Sequence, residues 1–318
     1  MNLPPLICRN LQTYLTLPNV HSTIISSIIE LTDKRIASAS EDGSIAICSL
    51  NFNLKTWTID IFINNAHEDS IRYLCEIPNS RIVSCSDDTN LKVWSISKNE
   101  LTLIAILNGH THMIRKVIYL HNEHKIISCA FDGNINIWNS EDPFEIQNTL
   151  KGRGRIFSII HLTKYTKGNI LVSSHIGKGL IRDLCFWNMT TNQLQSCVKG
   201  TTTEYANGLL ELSNGNILVA TFIYQIIIIN PEMLTTVRII KDDDWGQQGL
   251  GVFNDEIVFY CHGGHFSLIS YKENEHNIMY DTSLGENDVP FYVTISRDND
   301  KYIVGKSENT NIKVFKVI

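Results

Sequence analysis

The chain has 318 residues, 43% of them apolar and 19% charged, enough to bury a sizeable core. Its net charge of −6 argues against generic nucleic-acid binding, which usually leaves a basic footprint. The longest apolar run, Phe222 to Ile229, falls well short of the ~20 residues that span a bilayer, so no membrane partner is expected.

Taken in chain order, Met1-Asn2-Leu3-Pro4-Pro5 has neither a basic region nor a long apolar core and does not read as a signal peptide. Leu6 to Leu15 have strand-like composition. Three copies of one pattern follow. The first runs from His21 through Arg35-Ile36-Ala37-Ser38-Ala39-Ser40-Glu41-Asp42-Gly43 to Cys48. The second runs from His67 through Arg81-Ile82-Val83-Ser84-Cys85-Ser86-Asp87-Asp88 to Trp94. The third runs from His110 through Lys125-Ile126-Ile127-Ser128-Cys129-Ala130-Phe131-Asp132-Gly133 to Trp138. In each, an aspartate lies six residues before the Trp or Cys, and a histidine lies 21 or 22 residues before that aspartate. Apolar residues fall at every second position, as in Leu91 and Val93 or Ile135 and Ile137, the period of a strand. Asp42-Gly43 and Asp132-Gly133 suit tight turns, where glycine accepts positive φ.

Four weaker copies continue the pattern, carrying Asn169 to His175 with Trp187, Gly215 to Thr221, Glu256 to Cys261, and Lys301 to Gly305. The last ends at Asn311 to Ile318, one strand short of the others. The unassigned segment 6–15 supplies the missing strand if the two ends pair and close a ring. No Pro/Gly/Ser-rich linker or charge block divides the chain, so residues 1–318 are expected to be a single domain.

A period of roughly 40–45 residues with a GH…WD-like signature is a propeller mark, and these residues resemble the WD40 family along essentially the whole chain. The resemblance implies an all-β, seven-bladed propeller of four-stranded blades, the N-terminal strand serving as outer strand of the last blade. It also implies a hydrogen-bonded structural tetrad in each well-formed blade: His67, Ser84, Asp88 and Trp94 in the second, His110, Ser128, Asp132 and Trp138 in the third. A buried polar chain of this kind rigidifies its surroundings when every member is satisfied.

Other constellations read as structure. The Ser/His/Asp sets recur in register three times, whereas a catalytic site is needed once, and no nucleophile elbow or Gly-rich phosphate loop is present. Cys261-His262-Gly263-Gly264-His265 offers three ligand types but sits at an expected turn without a partner pair elsewhere, so no metal and no cofactor are expected. Asn188-Met189-Thr190 matches a glycosylation acceptor by chance, and Lys241-Asp242-Asp243-Asp244 reads as a solvated connector. The eight cysteines show no CxxC pair, and several replace apolar strand residues, which fits free thiols in a reducing, cytoplasmic setting with the nucleus open.

Propellers of this family bind partners on the face carrying the loop before each blade and the turn after its second strand. That implies a rim here of Arg72, Met113, Arg115, Phe131, Arg155, Phe157, Tyr205 and Trp245, with Lys178 and Arg182 added by a long blade-four loop, His175 to Asp183. Phe291 and Glu308 are the expected rim residues of the last blade. Arg, Tyr, Phe and Met are enriched at interface cores, and Arg presents a fork of donors suited to carboxylate or phosphate. The expected function is a non-enzymatic scaffold that binds protein or peptide partners through this face, including an acidic or phosphorylated segment. The alternative is a substrate-recognition subunit of a multi-chain ubiquitin ligase, kinase or phosphatase complex. Oligomeric state is left open.

Overall fold

A computed structural model describes residues 11–165, 168–177, 182–199, 206–221, 225–241, 249–254, 257–262, 265–270, 278–283, 291–297, 300–307 and 310–317. These form seven four-stranded antiparallel sheets. The innermost strands are Ile25–Glu30, Ile71–Ile77, Ile114–Leu120, Gly154–Leu162, Ala206–Glu211, Gly249–Asn254 and Phe291–Arg297. Each neighbours the innermost strands of the two adjacent sheets, and the last neighbours the first, so the sheets stand as blades around a closed ring. Blades four to six are as regularly four-stranded as the rest.

Strand Leu11–Leu17 forms the outer edge of the seventh sheet, pairing with Asn311–Val317 from Leu11 opposite Val317 to Leu17 opposite Ile312. The described strand takes in 11–15 of the expected 6–15 and runs on to Leu17, while 6–10 fall outside the described residues. Burial explains the extension: Leu17 and Val20 pack with Ile25, Ile312 and Val314 in one cluster, which anchors this end of the strand. Tyr14 occupies a bulge between Thr13 and Leu15 and packs against Tyr302, ring centroids 5.1 Å apart.

The core lies between blades. Along strand Ile36–Ser40 every residue is buried, and the two faces serve different neighbours. Ile36 packs with Tyr302 and Val304 of blade seven, while Ala37 and Ala39 pack with Ile71, Leu74 and Ile82 of blade two. Val83 and Cys85 face blade three in the same way, and Ile127 and Cys129 face blade four. Because side chains alternate with period two, a one-residue slip would exchange the two interfaces, and burial of Ile, Leu and Trp on both sides fixes the register. Each fully buried aliphatic side chain contributes roughly 1.5–3 kcal/mol before the cost of ordering it.

The cysteines are not all free. Cys185 and Cys197 stand directly opposite each other in neighbouring strands of blade four and are joined as a disulfide. Their twelve-residue separation spans a hairpin, a pairing that CxxC spacing does not anticipate. Cys48, Cys85 and Cys129 are buried free thiols, and burial pushes the Cys48 and Cys129 thiols up to about 12.

Candidate functional site

In blade two, Ser84 Oγ is a hub. It lies 2.6 Å from His67 Nε2 and accepts the Trp94 indole N–H at 2.8 Å, while His67 Nδ1 lies 2.7 Å from Asp88. Blade three repeats the arrangement: His110 reaches Ser128 at 2.8 Å and Asp132 at 2.9 Å, and Trp138 donates to Ser128 at 2.9 Å. Burial works to raise the Asp88 carboxyl, but the His67 bond and the amides of Asn90 and Glu68 outweigh it and hold it below the usual range. Asp132 is held down likewise by His110 and the amides of Thr111 and Asn134. In blade one Cys48 replaces the Trp, and His21 spans Ser38 and Ser44 at 2.7 and 2.6 Å, with Ser44 relaying to Asp42. These groups are spent on bracing the loops that carry the rim.

Above the braces, six of the seven innermost strands carry a β-bulge near their start, at Ser26, Arg72, Arg115, Phe157, Asn207 and Tyr292. A bulge leaves one residue out of the ladder and re-aims its side chain. Facing it is the residue just past the second strand. Glu41, Asp87 and Phe131 hold equivalent places there, each donating its amide to the carbonyl of Ile24, Ser70 or Met113 at 2.9–3.0 Å.

Charge follows this register. Arg72 donates to Glu41 of the preceding blade at 2.6 Å and through Nε to Asp87 of its own blade at 2.8 Å. Burial works against the Arg72 charge, but the two carboxylates outweigh it and raise its pKa. At the equivalent place in blade three, Arg115 makes no ion pair among the described residues, and its buried Nε has no acceptor among them. Its guanidinium lies 5.1 Å from the centroid of Phe131, and that of Arg155 lies 5.5 Å from the same ring. Phe157 packs against Phe131 at 4.6 Å and His112 edges it at 5.8 Å. Burial, then the nearby Arg72 charge, lower the Arg115 pKa.

The family model for the WD domain, G-beta repeat, matches residues 59–95 and 101–139, the blades with complete tetrads. These two segments are WD40 repeats. The crystal structure of the WD40 beta propeller domain of Doa1 has the same fold, with a TM-score of 0.76 at 12% identity over 96% of this chain and 97% of that one. No curated protein matches the chain. As a WD40 propeller, the protein is in general terms a scaffold for protein interaction.

The WD40 rim brings together Arg72, Met113, Arg115, Phe131, Arg155 and Phe157 of the residues expected there, with Arg72 internally paired rather than open. Lys178, Tyr205, Trp245 and Glu308 lie outside the described residues, and of Arg182 only the backbone is described. The expected blade-four loop is shorter than read from sequence. His175 pairs with Asp183 and Ile176 with Arg182, so both flanks are strand and only 178–181 remain between them. Two residues escaped sequence reading. His175 reaches Ser173 at 2.6 Å and Trp187 donates to that Ser at 2.6 Å, which rebuilds the blade-four brace with a histidine from the strand itself. The Ser-x-His spacing with a later Trp could have signalled it. Lys306 follows Gly305, the partner of Phe291, and so takes the Glu41-equivalent place in blade seven; burial brings its amine down to about 8, opposed by Glu41. Counting back from the last strand would have found it.

Proposed function

We propose that the protein is a non-enzymatic adaptor whose rim, across blades two to four, holds an exposed acidic or phosphorylated segment of a protein partner. The observation that supports this reading is the cluster of Arg115, Arg155, Phe131 and Phe157, in which two guanidinium groups share one aromatic ring and form no ion pair among the described residues. Arg and aromatic side chains in a partly desolvated setting are the residue types that dominate binding energy at interfaces. The Ser/His/Asp sets that recur in register are committed to the blade braces. On an acidic chain, such a sector selects partners by its local field rather than by net charge.

The test is quantitative capture of partners by the tagged protein, compared with Arg115→Glu/Arg155→Glu and with Lys98→Glu, an exposed charge near Arg35. The rim variant loses partners that the Lys98 variant retains. Equal recovery by all three proteins sinks the proposal.

A further inference from the structure

Blades one to three present the same two seats: the bulge seat holds Ser26, Arg72 and Arg115, and the seat facing it holds Glu41, Asp87 and then Phe131. The bulge residue of blade two, Arg72, lies between the carboxylate of the preceding blade, Glu41, and that of its own blade, Asp87. The bulge residue of blade three, Arg115, feels the Asp87 charge of the preceding blade without pairing to it, and its own blade offers Phe131 where the carboxylate would stand. Asp87 gives one oxygen to Arg72, and its other oxygen reaches no donor. Arg115 Nε is likewise buried without an acceptor. Blade four then adds the exposed Arg155 over the same ring. The fold thus supplies two guanidinium groups and an aromatic floor at a position from which its own anion has been removed.

We infer that the space between Arg115 and Arg155 over Phe131 is a subsite for one carboxylate, carried by an Asp or Glu of the partner segment and standing in for the missing blade-three carboxylate. This rests on the platform reading above and names the group that the rim recognises. An arginine fork receives a planar carboxylate through paired N–H donors, and Arg72 already turns two donors, Nε and an Nη, onto one oxygen of Asp87. A phosphate dianion fits less well, because the neighbouring Asp87 carboxylate repels its second charge. The floor adds apolar contact for the methylenes of the incoming side chain, and the ring holds both cations by its negative face.

The site predicts its own inhibitor. Phe131→Asp returns the blade-three carboxylate and fills the subsite from within, whereas Phe131→Leu keeps an apolar floor and leaves it open. Three labelled probes of equal length decide the matter by fluorescence anisotropy at low salt: (Gly-Glu)4, (Gly-Gln)4 and (Gly-phosphoserine)4. The Glu probe binds the native chain at least ~10-fold more tightly than the Gln probe, a difference of about 1.4 kcal/mol. Phe131→Asp removes that preference, and Phe131→Leu keeps most of it. Should Phe131→Asp fail to fold, Arg115→Gln/Arg155→Gln must abolish the preference instead. A Glu probe no tighter than Gln, a preference that survives Phe131→Asp, or tighter binding of the phosphoserine probe overturns the inference. Loss of partner capture in the double arginine variant alongside any of these outcomes keeps the platform and removes only the carboxylate subsite.

Discussion

His175 Nε2 lies 2.6 Å from Ser173 Oγ, two residues away on one strand, while His67 crosses from a preceding loop to reach Ser84 at the same distance. Both histidines meet a serine that also accepts a Trp indole N–H. The brace is therefore defined by its hub, and the histidine can arrive by either route. Ser84→Ala leaves the His67 nitrogen and the Trp94 N–H buried without partners, at a cost of about 2–4 kcal/mol. Trp94→Phe keeps most of the ring and removes one donor, for about 1 kcal/mol. Urea denaturation of the two variants checks the ordering. A Ser84→Ala midpoint equal to that of the native chain would show that the hub is not structural.

Protonation of the buried histidines gives a pH dependence of known sign. Burial holds both His21 and His175 down to about 4, opposed by Asp42 in the first and assisted by Arg153 in the second. An unfolded histidine titrates near ~6.5, so between the two values the unfolded chain binds the extra proton. Stability is then complete above ~6.5 and falls as pH drops towards 4, by roughly 3 kcal/mol for each histidine. The lowered carboxylates, Asp88 and Asp132, lose their contribution only below about 4, so the two phases separate. Denaturation midpoints at pH 7 and pH 4.5 measure the first phase. His175→Asn should flatten its slope; an unchanged slope in that variant refutes the assignment.

Much of this was legible in sequence because the period-two alternation and the His, Asp and Trp offsets are local. The tetrads of blades two and three are made by the residues those offsets single out. What stayed hidden depends on strand pairing over long distances. Cys185 faces Cys197 only after the hairpin is registered, and Lys306 reaches the rim only once Phe291 is paired with Gly305. Whether a rim arginine is open or internally paired is equally invisible. Arg72 and Arg115 hold the same bulge position, and only the neighbouring blade and the residue at 87 or 131 distinguish them.

Turn chemistry separates the first three blades. Gly43 and Gly133 follow the turn aspartate at φ +77° and +84°, where blade two has Thr89 at +73°. A β-branched residue is strained in the left-handed region, and glycine is not. Thr89→Gly is expected to raise stability by about 0.5–1 kcal/mol despite the greater freedom of the unfolded chain. Thermal unfolding reads the change; a lower midpoint would mean that contacts of the threonine outweigh its backbone strain.

The rim arginines divide into one that holds the fold and one that does not. Arg72 neutralises Asp87, whose side chain is 3% exposed, and also reaches Glu41. Its removal leaves a buried carboxylate without a cation, which costs about 3–5 kcal/mol when a buried pair is broken from one side. Arg155 is exposed and lies over the face of Phe131, so Arg155→Ala should change stability by no more than about 0.5 kcal/mol. Binding should show the reverse order of interpretability. Arg155→Ala weakens partner capture in a protein that unfolds like the native chain, whereas any loss in Arg72→Ala is mixed with local unfolding of blades one and two. Denaturation and capture measured on both variants separate the roles. If Arg155→Ala unfolds early, or Arg72→Ala does not, the division between structural and recognition arginines is wrong.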